Sequence, residues 1–514
     1  MNRKKRLLSR MQKKMHKLAQ SNLASTRDGD LYQTLNENEA FLRDTFSDCA
    51  DLVIRRFYAF HSFPCMVAYL EVLIDEVKLD EILLREIMID EPVNTNSPVQ
   101  FATLLTMKLI PTGKAEIVGQ LNDAVQRMIK GEVILLIESS SQAVSVNIPG
   151  RVNRTPQEPN TEPVIRGPRL GFVENLFINL TLLRQYIHTP QLKIVKYTLG
   201  EVTQTDVAIA YIENIAPANV VEEAKKRVSS IRIDSVLESG YIEELISDKY
   251  YSPFPLIQNT ERSDSVAAAL IEGKVAILTH GTPMVLLAPV TFWYGFETAE
   301  DYYINFIFGT MLRWLRYLFA LVAMTLPSIY VAITTFHHEM IPTSLALSIA
   351  AAREVVPFPA ALETLIMEVT FEALREAGLR LPRPVGQTIS IVGGLVIGEA
   401  AVQAGIISAP IVIIVALTGI ATFLITQSNM SQAISIIRFP MILLASVFGL
   451  YGIGAGLLAV LIHLVTLRSF GVPYLSPVSP LNPSGIWDTV IRAPWRVMLK
   501  RQQYTKQKLE LGKK

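Results

Sequence analysis

The residues from Tyr317 to Leu467 are almost free of charge, and they occur in stretches long enough to cross a lipid bilayer. A helix needs ~20 predominantly apolar residues to cross ~30 Å of hydrocarbon. Four stretches meet or nearly meet that length, at 317–336, 385–404, 406–427 and 439–467. The sequence therefore predicts a polytopic α-helical transmembrane domain in this part of the chain.

Composition divides the 514 residues into unlike parts. Up to about residue 301, apolar runs alternate with charged residues in the sheet-plus-helix pattern of a water-soluble domain, and no repeat of fixed period is visible. The predicted fold class is α+β combined with membrane, in which two cytoplasmic mixed α/β modules precede a transmembrane domain of four to six spans. The predicted parts are a basic flexible arm (1–40), an N-terminal α/β module (41–148), a proline-rich linker (149–163), a second α/β module (164–300), the helical transmembrane domain (301–475) and a basic cytoplasmic tail (476–514).

The segment 341–378 decides between four and six spans. It is apolar but contains Pro357, Pro359 and several charged residues, so it is too polar to face lipid on every side. Broken or polar backbone at membrane depth is tolerated only where protein or water covers it. The segment is either a re-entrant or crossing pair of helices that lines a cavity, or an amphipathic helix that lies on the membrane surface.

Both ends of the chain are basic, with clusters of Lys and Arg before residue 18 and after residue 491. Because cytoplasmic flanks of membrane spans are enriched in Lys and Arg, both termini are expected in the cytoplasm, which requires an even number of crossings. The N-terminal cluster lacks interleaved aromatic residues, and for both clusters contact with the anionic headgroups of membrane lipids is favoured over contact with nucleic acid.

Signatures of an enzyme are missing from the sequence. It contains no phosphate-binding G-x-x-x-x-G-K-[ST] loop, no H-E-x-x-H, no C-x-x-C and no G-x-S-x-G. Two cysteines, Cys49 and Cys65, are too few for a disulfide framework or a zinc site. We predict no catalytic residues, no metal and no cofactor.

Glu399 is the one Asp, Glu, Lys or Arg residue within the four predicted spans. An ionised group at mid-span costs roughly 2.5–3.5 kcal/mol on insertion scales, and such groups mostly face a bundle interior or a water path. Gln403 lies one helical turn after Glu399, so the two share a polar stripe. The stripe favours an ion path, although a protonated Glu399 bonded to a neighbouring helix, or one that reaches the surface, fits equally with the pattern.

Glu368, Glu372 and Glu376 recur at every fourth position and therefore lie on one helical face. If several subunits surround an axis, such carboxylates form rings that attract cations to a pore. We take Glu368 and Glu372 as further ion-path candidates, while a solvated helix face is the commoner meaning of this spacing.

Two pairs of glycines predict close helix packing. Gly394 with Gly398, and Gly452 with Gly456, are each four residues apart, which gives a small surface that lets two helix backbones approach.

Several runs along the chain resemble the A subunits of spore germinant receptors, the GerA family. They include Ile165-Arg166-Gly167-Pro168-Arg169 in the second module, and Leu381-Pro382-Arg383-Pro384-Val385, Ile397-Gly398-Glu399-Ala400-Ala401, Arg438-Phe439-Pro440 and Leu467-Arg468-Ser469-Phe470-Gly471 in the membrane part. The resemblance covers roughly residues 40 to 485. One departure is at 426–430, where the family's proline and aromatic-acidic residues are not found.

The resemblance implies a subunit in the inner membrane of a bacterial endospore. Such a subunit is expected to act with a transporter-like B subunit and a lipoprotein C subunit in sensing nutrients. It is also expected to form a homo-oligomer that conducts monovalent cations and commits the spore to germinate. A related SpoVA-linked paralogue that modulates germination shares most of the same motifs, and a non-conducting membrane scaffold is the alternative from another class.

Overall fold

Two five-stranded antiparallel sheets form the part of the chain before residue 300. The computed structural model describes residues 29–60, 63–89, 98–108, 115–148, 150, 158–159, 161–380 and 398–494. The strands of the first sheet are β1 Leu52–Ala59, β2 Phe63–Leu70, β3 Ala115–Val118, β4 Glu132–Ile137 and β5 Ala143–Asn147. Those of the second are β6 Leu192–Leu199, β7 Thr205–Ile212, β8 Gln258–Thr260, β9 Val275–Thr279 and β10 Val285–Ala288.

The two sheets have the same topology. Their strand orders are β1-β2-β4-β5-β3 and β6-β7-β9-β10-β8, so each is a first-second-fourth-fifth-third arrangement. The helices of this part are α1 Leu35–Thr45, α2 Arg85–Ile89, α3 Pro98–Lys108, α4 Leu121–Ile129, α5 Leu176–Tyr186, α6 Ala218–Ser230, α7 Ser239–Ile246 and α8 Ser263–Glu272. Helices α1 and α5 precede the first strand of each sheet, and α4 and α8 join its third and fourth strands. The modules are therefore structural repeats, although the sequence shows no repeat.

The prediction of a mixed α/β first half is confirmed, and its elements follow from local sequence. After Glu132, the run EVILLI in β4 is entirely apolar, and these five apolar residues are buried in the structure. Helix α4 buries Leu121, Val125 and Met128 along one stripe, as an amphipathic helix must. The sequence analysis does not predict α4, α8 or the strands β3 and β8, and these two strands are only four and three residues long.

A buried ion pair joins the two modules. The Arg184 guanidinium in α5 donates from Nε and Nη2 to the two carboxylate oxygens of Asp51, each at 2.9 Å, and both side chains are 0% exposed. Backbone hydrogen bonds from Ala50 N to Ile194 O and from Ile194 N to Asp48 O continue the contact. The two modules are thus fastened side by side through backbone and charge together.

Glu162, from the end of the predicted linker, lies against the second module. Residues 149, 151–157 and 160 of that linker are outside the described residues. Thr260 donates to the Glu162 carboxylate at 2.6 Å, and Arg262 donates to its backbone oxygen at 3.2 Å. Burial raises the pKa of the Glu162 carboxyl to about 7. The end of the linker is therefore held in place by the second sheet.

The second half of the chain is helical. Its helices are α9 Phe306–Phe336, α10 Thr343–Arg353, α11 Ala360–Arg380, α12 Gly398–Gln403, α13 Ala409–Phe423, α14 Ser428–Thr466 and α15 Pro483–Val490. By length and composition, α9 and α14 are the two helices of the described residues that could cross a membrane, and α13 is a shorter apolar helix. The predicted count of four to six spans stays a prediction, and the stretch 385–404 lies mostly outside the described residues.

Helix α14 is two arms, 428–448 and 450–466, that fold back on one another. Gly449 has φ 59° and ψ −141°, a conformation that glycine adopts more easily than any other residue. Gly452 touches the Leu444 carbonyl and Gly456 touches Met441, contacts that a continuous helix could not make. The interpretation of 439–467 as one span is therefore wrong, because the chain reverses inside it without any break in its apolar character.

The end of α14 returns to the second module. After Leu467, β11 Arg468–Ser469 and β12 Val472–Pro473 form a small hairpin whose Phe470 lies in the core of the second module. The Arg227 guanidinium lies 4.4 Å from the centroid of the Phe470 ring. Helix α15, in the predicted tail, packs against the start of α9, where Tyr317 donates to the Thr489 carbonyl at 2.8 Å.

Removing Asp51 should destabilise the protein strongly. The Asp51→Ala variant leaves the Arg184 guanidinium buried without its counter-charge, which typically costs ~3–5 kcal/mol. The measurement is thermal unfolding of the purified full chain, followed by circular dichroism. Arg43→Ala, which removes an exposed pair with Glu39, is the control and should cost less than ~1 kcal/mol. Equal losses in the two variants would show that burial of the Asp51–Arg184 pair is not what matters.

The Glu162→Gln variant should change how stability depends on pH. Because the folded pKa is raised from 4.5 to about 7, the folded state binds this proton more tightly than the unfolded chain does. The stabilisation by the protonated carboxyl is complete below 4.5 and is lost as the pH rises through about 7. The difference in unfolding temperature between wild type and variant should follow that window, and parallel profiles would contradict it.

Candidate polar site in the helical bundle

Arg438 is the most constrained charged residue of the bundle. It lies in the first arm of α14 and is 0% exposed. Its Nη1 donates to Glu368 Oε2 of α11 at 2.6 Å, its Nη2 to Thr422 Oγ1 of α13 at 2.8 Å, and its Nε to the Ala323 carbonyl of α9 at 2.8 Å. One guanidinium thus links four helices through three of its donors.

The acceptor on α9 is available because of a proline. In a regular helix the Ala323 carbonyl would accept from the N–H of residue 327, but Pro327 has no N–H. A buried carbonyl without a partner costs free energy, so a donor from another helix is needed at this point. Arg438 Nε supplies it. Pro327 and Arg438 therefore form one structural feature, although they are distant in sequence.

Glu368 and Glu372, two of the predicted ion-path candidates, form ion pairs with arginines of the same chain. Glu368 is buried against Arg438, and Glu372 lies 3.9 Å from Arg438 Nη1 and 2.6 Å from Arg375 Nη2. Arg375 in turn donates to Ser435 Oγ at 3.3 Å. On this face of α11, Glu368 is buried and charge-paired, Glu372 is partly buried and Glu376 is exposed. A role for these residues in an ion path stays a prediction.

A second charged contact lies nearer to the loops that follow α9. Glu363 is fully buried, accepts a hydrogen bond from the backbone N–H of Ser408 just before α13, and lies 3.8 Å from Arg353 Nε. A carboxylate at this position satisfies an N–H at the start of α13, where helices leave donors unpaired. The two contacts together place charges along the whole inner face of α11.

Glu399 and Gln403 lie on the outside of the single chain. Both belong to the short helix α12, both are exposed, and Gln403 donates to the Glu399 carboxylate at 3.2 Å. The predicted turn-to-turn pairing of the two side chains is present in this geometry. Neither residue contacts the Arg438 site in the described residues, so the four ion-path candidates divide into a buried pair and an exposed pair.

The glycines lie where helices approach one another. Gly398 is buried, and a Cβ there would lie 3.4 Å from Val412 of α13. Gly452 and Gly456 line the contact between the two arms of α14. Gly394 is outside the described residues.

Sequence reasoning missed Arg438 as a site residue. The predicted span begins at Phe439, which leaves Arg438 just outside it. The signal was the uncharged segment before it, in which Met430, Ala433, Ile434 and Ile437 recur at helical spacing and place Arg438 in the middle of a helix. No cluster of three His, Cys, Asp or Glu side chains suited to a metal occurs in the part of the chain that the structure describes.

Comparisons with known proteins match most of the chain. Residues 40–504 match the family model described as Bacillus/Clostridium GerA spore germination protein. The chain is 44% identical over 482 residues to the uncharacterized membrane protein YfkQ of Bacillus subtilis (strain 168), covering 93% of each chain. It is 44% identical over 437 residues to spore germination protein KA of the same strain, covering 85% of this chain and 80% of the relative.

A solved structure is also among the matches. It is the crystal structure of the N-terminal domain of the A subunit of the Bacillus megaterium spore germinant receptor GerK3, with a TM-score of 0.42 and 32% identity, covering 52% of this chain and 98% of that chain.

Replacing Arg438 alone should destabilise the fold far more than replacing Arg438 and Glu368 together. Arg438→Met leaves Glu368 as an unpaired buried charge and should destabilise the chain by ~3–5 kcal/mol. Adding Glu368→Met removes that charge, so the double variant should recover much of the loss. Thermal unfolding of the full chain in detergent micelles measures both, with Arg468→Met, an exposed arginine just after α14, as the control. Losses that simply add would refute the pairing.

Proposed function

The chain belongs to the GerA family of Bacillus/Clostridium spore germination proteins, and we propose that it is the A subunit of a nutrient germinant receptor. In this proposal it lies in the inner membrane of the bacterial spore, with both termini on the cytoplasmic side, and acts with a transporter-like B subunit and a lipoprotein C subunit. Several copies form a ligand-gated channel for monovalent cations, and its opening triggers germination. It is a receptor subunit and not an enzyme.

The observation that carries this proposal is the exposed pair Glu399 and Gln403, which lies in the stretch 385–404 that the sequence predicts to be a span. A charged side chain within a membrane segment costs roughly 2.5–3.5 kcal/mol, and such residues face protein or water and not lipid. Both side chains are exposed in the single chain, so no described part of the protein covers them. A water-filled route enclosed by neighbouring copies would cover them, and an ionised carboxylate there would attract cations.

The directions of the helices support an even number of crossings. Helix α9 leaves the second module, and its end at Phe336 meets Gly449 at the turn of α14. Both ends of α14 are near the second module, since Met430 touches Gly295 and His463 Nε2 lies 3.0 Å from Ser252 Oγ. Counting α9, α11, α13, the two arms of α14 and the crossing predicted from sequence at 385–404 gives six.

The fastening of the second module to the bundle supports a receptor role. Ser469 donates to the Leu256 carbonyl at 2.6 Å and accepts from Val290 N at 3.0 Å, while Phe292 N donates to the Tyr474 carbonyl at 2.8 Å. A movement of the module must therefore reach both the start of α9 and the end of α14. A signal can shift such an equilibrium only if its source binds the two states unequally, which is the role we assign to the partner subunits.

One observation favours a second candidate, a non-conducting subunit that modulates germination as a scaffold. Glu368 is already paired with Arg438 inside one chain, and Glu372 lies beside Arg438 and Arg375. These carboxylates can then stabilise the bundle without lining a pore, which leaves Glu399 as the residue that separates the two candidates.

Glu399→Gln should slow cation release. The exchange keeps the shape and hydrogen bonding of the side chain but removes the charge that would concentrate cations at the pore. The measurement is potassium release from spores that carry the variant after exposure to nutrient. Glu244→Gln, an exposed carboxylate of α7 in the second module, is the control. Release at the wild-type rate would exclude the pore role of Glu399 and favour the scaffold.

A further inference from the structure

Two adjacent tyrosines form an exposed aromatic surface on the second module. Tyr250 is 67% and Tyr251 is 87% exposed, and their ring centroids lie 4.0 Å apart. They belong to residues 249–252, here called the tyrosine loop, which follows α7. Tyrosine is enriched at the boundary between membrane and water, where its ring lies among headgroups and its hydroxyl stays hydrated.

The tyrosine loop is placed at the end of the last bundle arm. Lys249 Nζ lies 3.4 Å from Thr466 Oγ1, and Ser252 Oγ lies 3.0 Å from His463 Nε2. In the preceding turns the same arm exposes Leu461, Ile462 and Val465. The loop therefore continues, on the same side of the molecule, an apolar surface that the proposed membrane placement exposes to lipid.

The charges around the loop also fit a lipid surface. Lys249 in the loop and Arg468, just after the end of α14, are both exposed, and each basic residue near an anionic membrane surface contributes ~1 kcal/mol. Glu243 and Glu244 on α7 would be repelled by anionic headgroups. Their repulsion limits the lipid contact to the loop itself and keeps the rest of α7 away from the headgroups.

We propose that the tyrosine loop rests in the headgroup layer of the cytoplasmic leaflet, with Tyr250 and Tyr251 between the headgroups and Lys249 and Arg468 at anionic lipids. This inference rests on the membrane placement in the proposed function. The loop then acts as a third point of attachment, beside α9 and the hairpin after α14, and sets the tilt of the second module relative to the bilayer.

Site-specific labelling of the full chain tests this contact. Cys49 and Cys65 are buried, so a fluorescent thiol probe at Tyr251→Cys reports on the loop. The chain is reconstituted in nanodiscs of phosphatidylglycerol and phosphatidylethanolamine with a quencher attached to the lipid headgroups. Val202→Cys is the control, because Val202 is 80% exposed in the turn between β6 and β7. That turn is at the end of the sheet opposite to Ala288, which leads to the contact with Ser469.

The headgroup quencher should reduce the Tyr251 signal several-fold more than the Val202 signal. A third probe, at Ile462→Cys in the exposed face of α14, tests membrane insertion separately with quenchers in the acyl chains. If the Ile462 probe is quenched but the Tyr251 and Val202 probes behave alike, the inference is overturned while the membrane placement stands. If the Ile462 probe is not quenched, the membrane placement itself fails. A Tyr251 probe shielded from aqueous iodide yet unaffected by the headgroup quencher would mean that a protein covers the loop, which also overturns the inference.

Discussion

The helical half of this protein depends on where one guanidinium is buried. In an apolar surrounding, Arg438 must have both a counter-charge and acceptors for its remaining donors, because an uncompensated buried charge is far more costly than any packing defect nearby. Glu368 provides the charge, while Thr422 and the Ala323 carbonyl provide the acceptors. Each comes from a different helix, so satisfying one side chain fixes the relative heights of α9, α11, α13 and the first arm of α14.

The same physical setting explains the glycines and the proline. In the proposed membrane placement there is little hydrophobic drive for association between helices, so close backbone contact and interhelical hydrogen bonds would hold the bundle together. Gly449 allows the reversal of α14, and Gly452 and Gly456 allow its arms to approach. Pro327 has no N–H to donate within α9, which leaves the Ala323 carbonyl free to accept a hydrogen bond from Arg438. Residues that weaken a helix in isolation are here the ones that define its neighbours.

Sequence alone predicted the mixed α/β character of the first half and many of its elements, because strands such as β4 and β6 have strong local patterns. It could not predict that the two modules share a topology, since strand order is set by hydrogen bonds between distant strands and leaves no period in the sequence. The reversal at Gly449 was missed because hydropathy measures how apolar a segment is and carries no information about direction. Arg438 was not predicted as a site residue because its partner Glu368 lies 70 residues earlier in the chain.

The contacts along the chain determine which movements remain possible. Asp51 and Arg184 fasten the first module to the second, and Phe470 fastens the second to the end of α14. At the other end, Arg438 opposes any sliding of the helices past one another, because a shift of one turn would separate it from Glu368 and from two other acceptors at once. A tilt of the helices about that point would displace Arg438 least relative to its three acceptors. A force applied to the modules would therefore rotate the helices about a point near Arg438. The largest displacements would occur at the ends of α9 and α14 that lie farthest from Arg438.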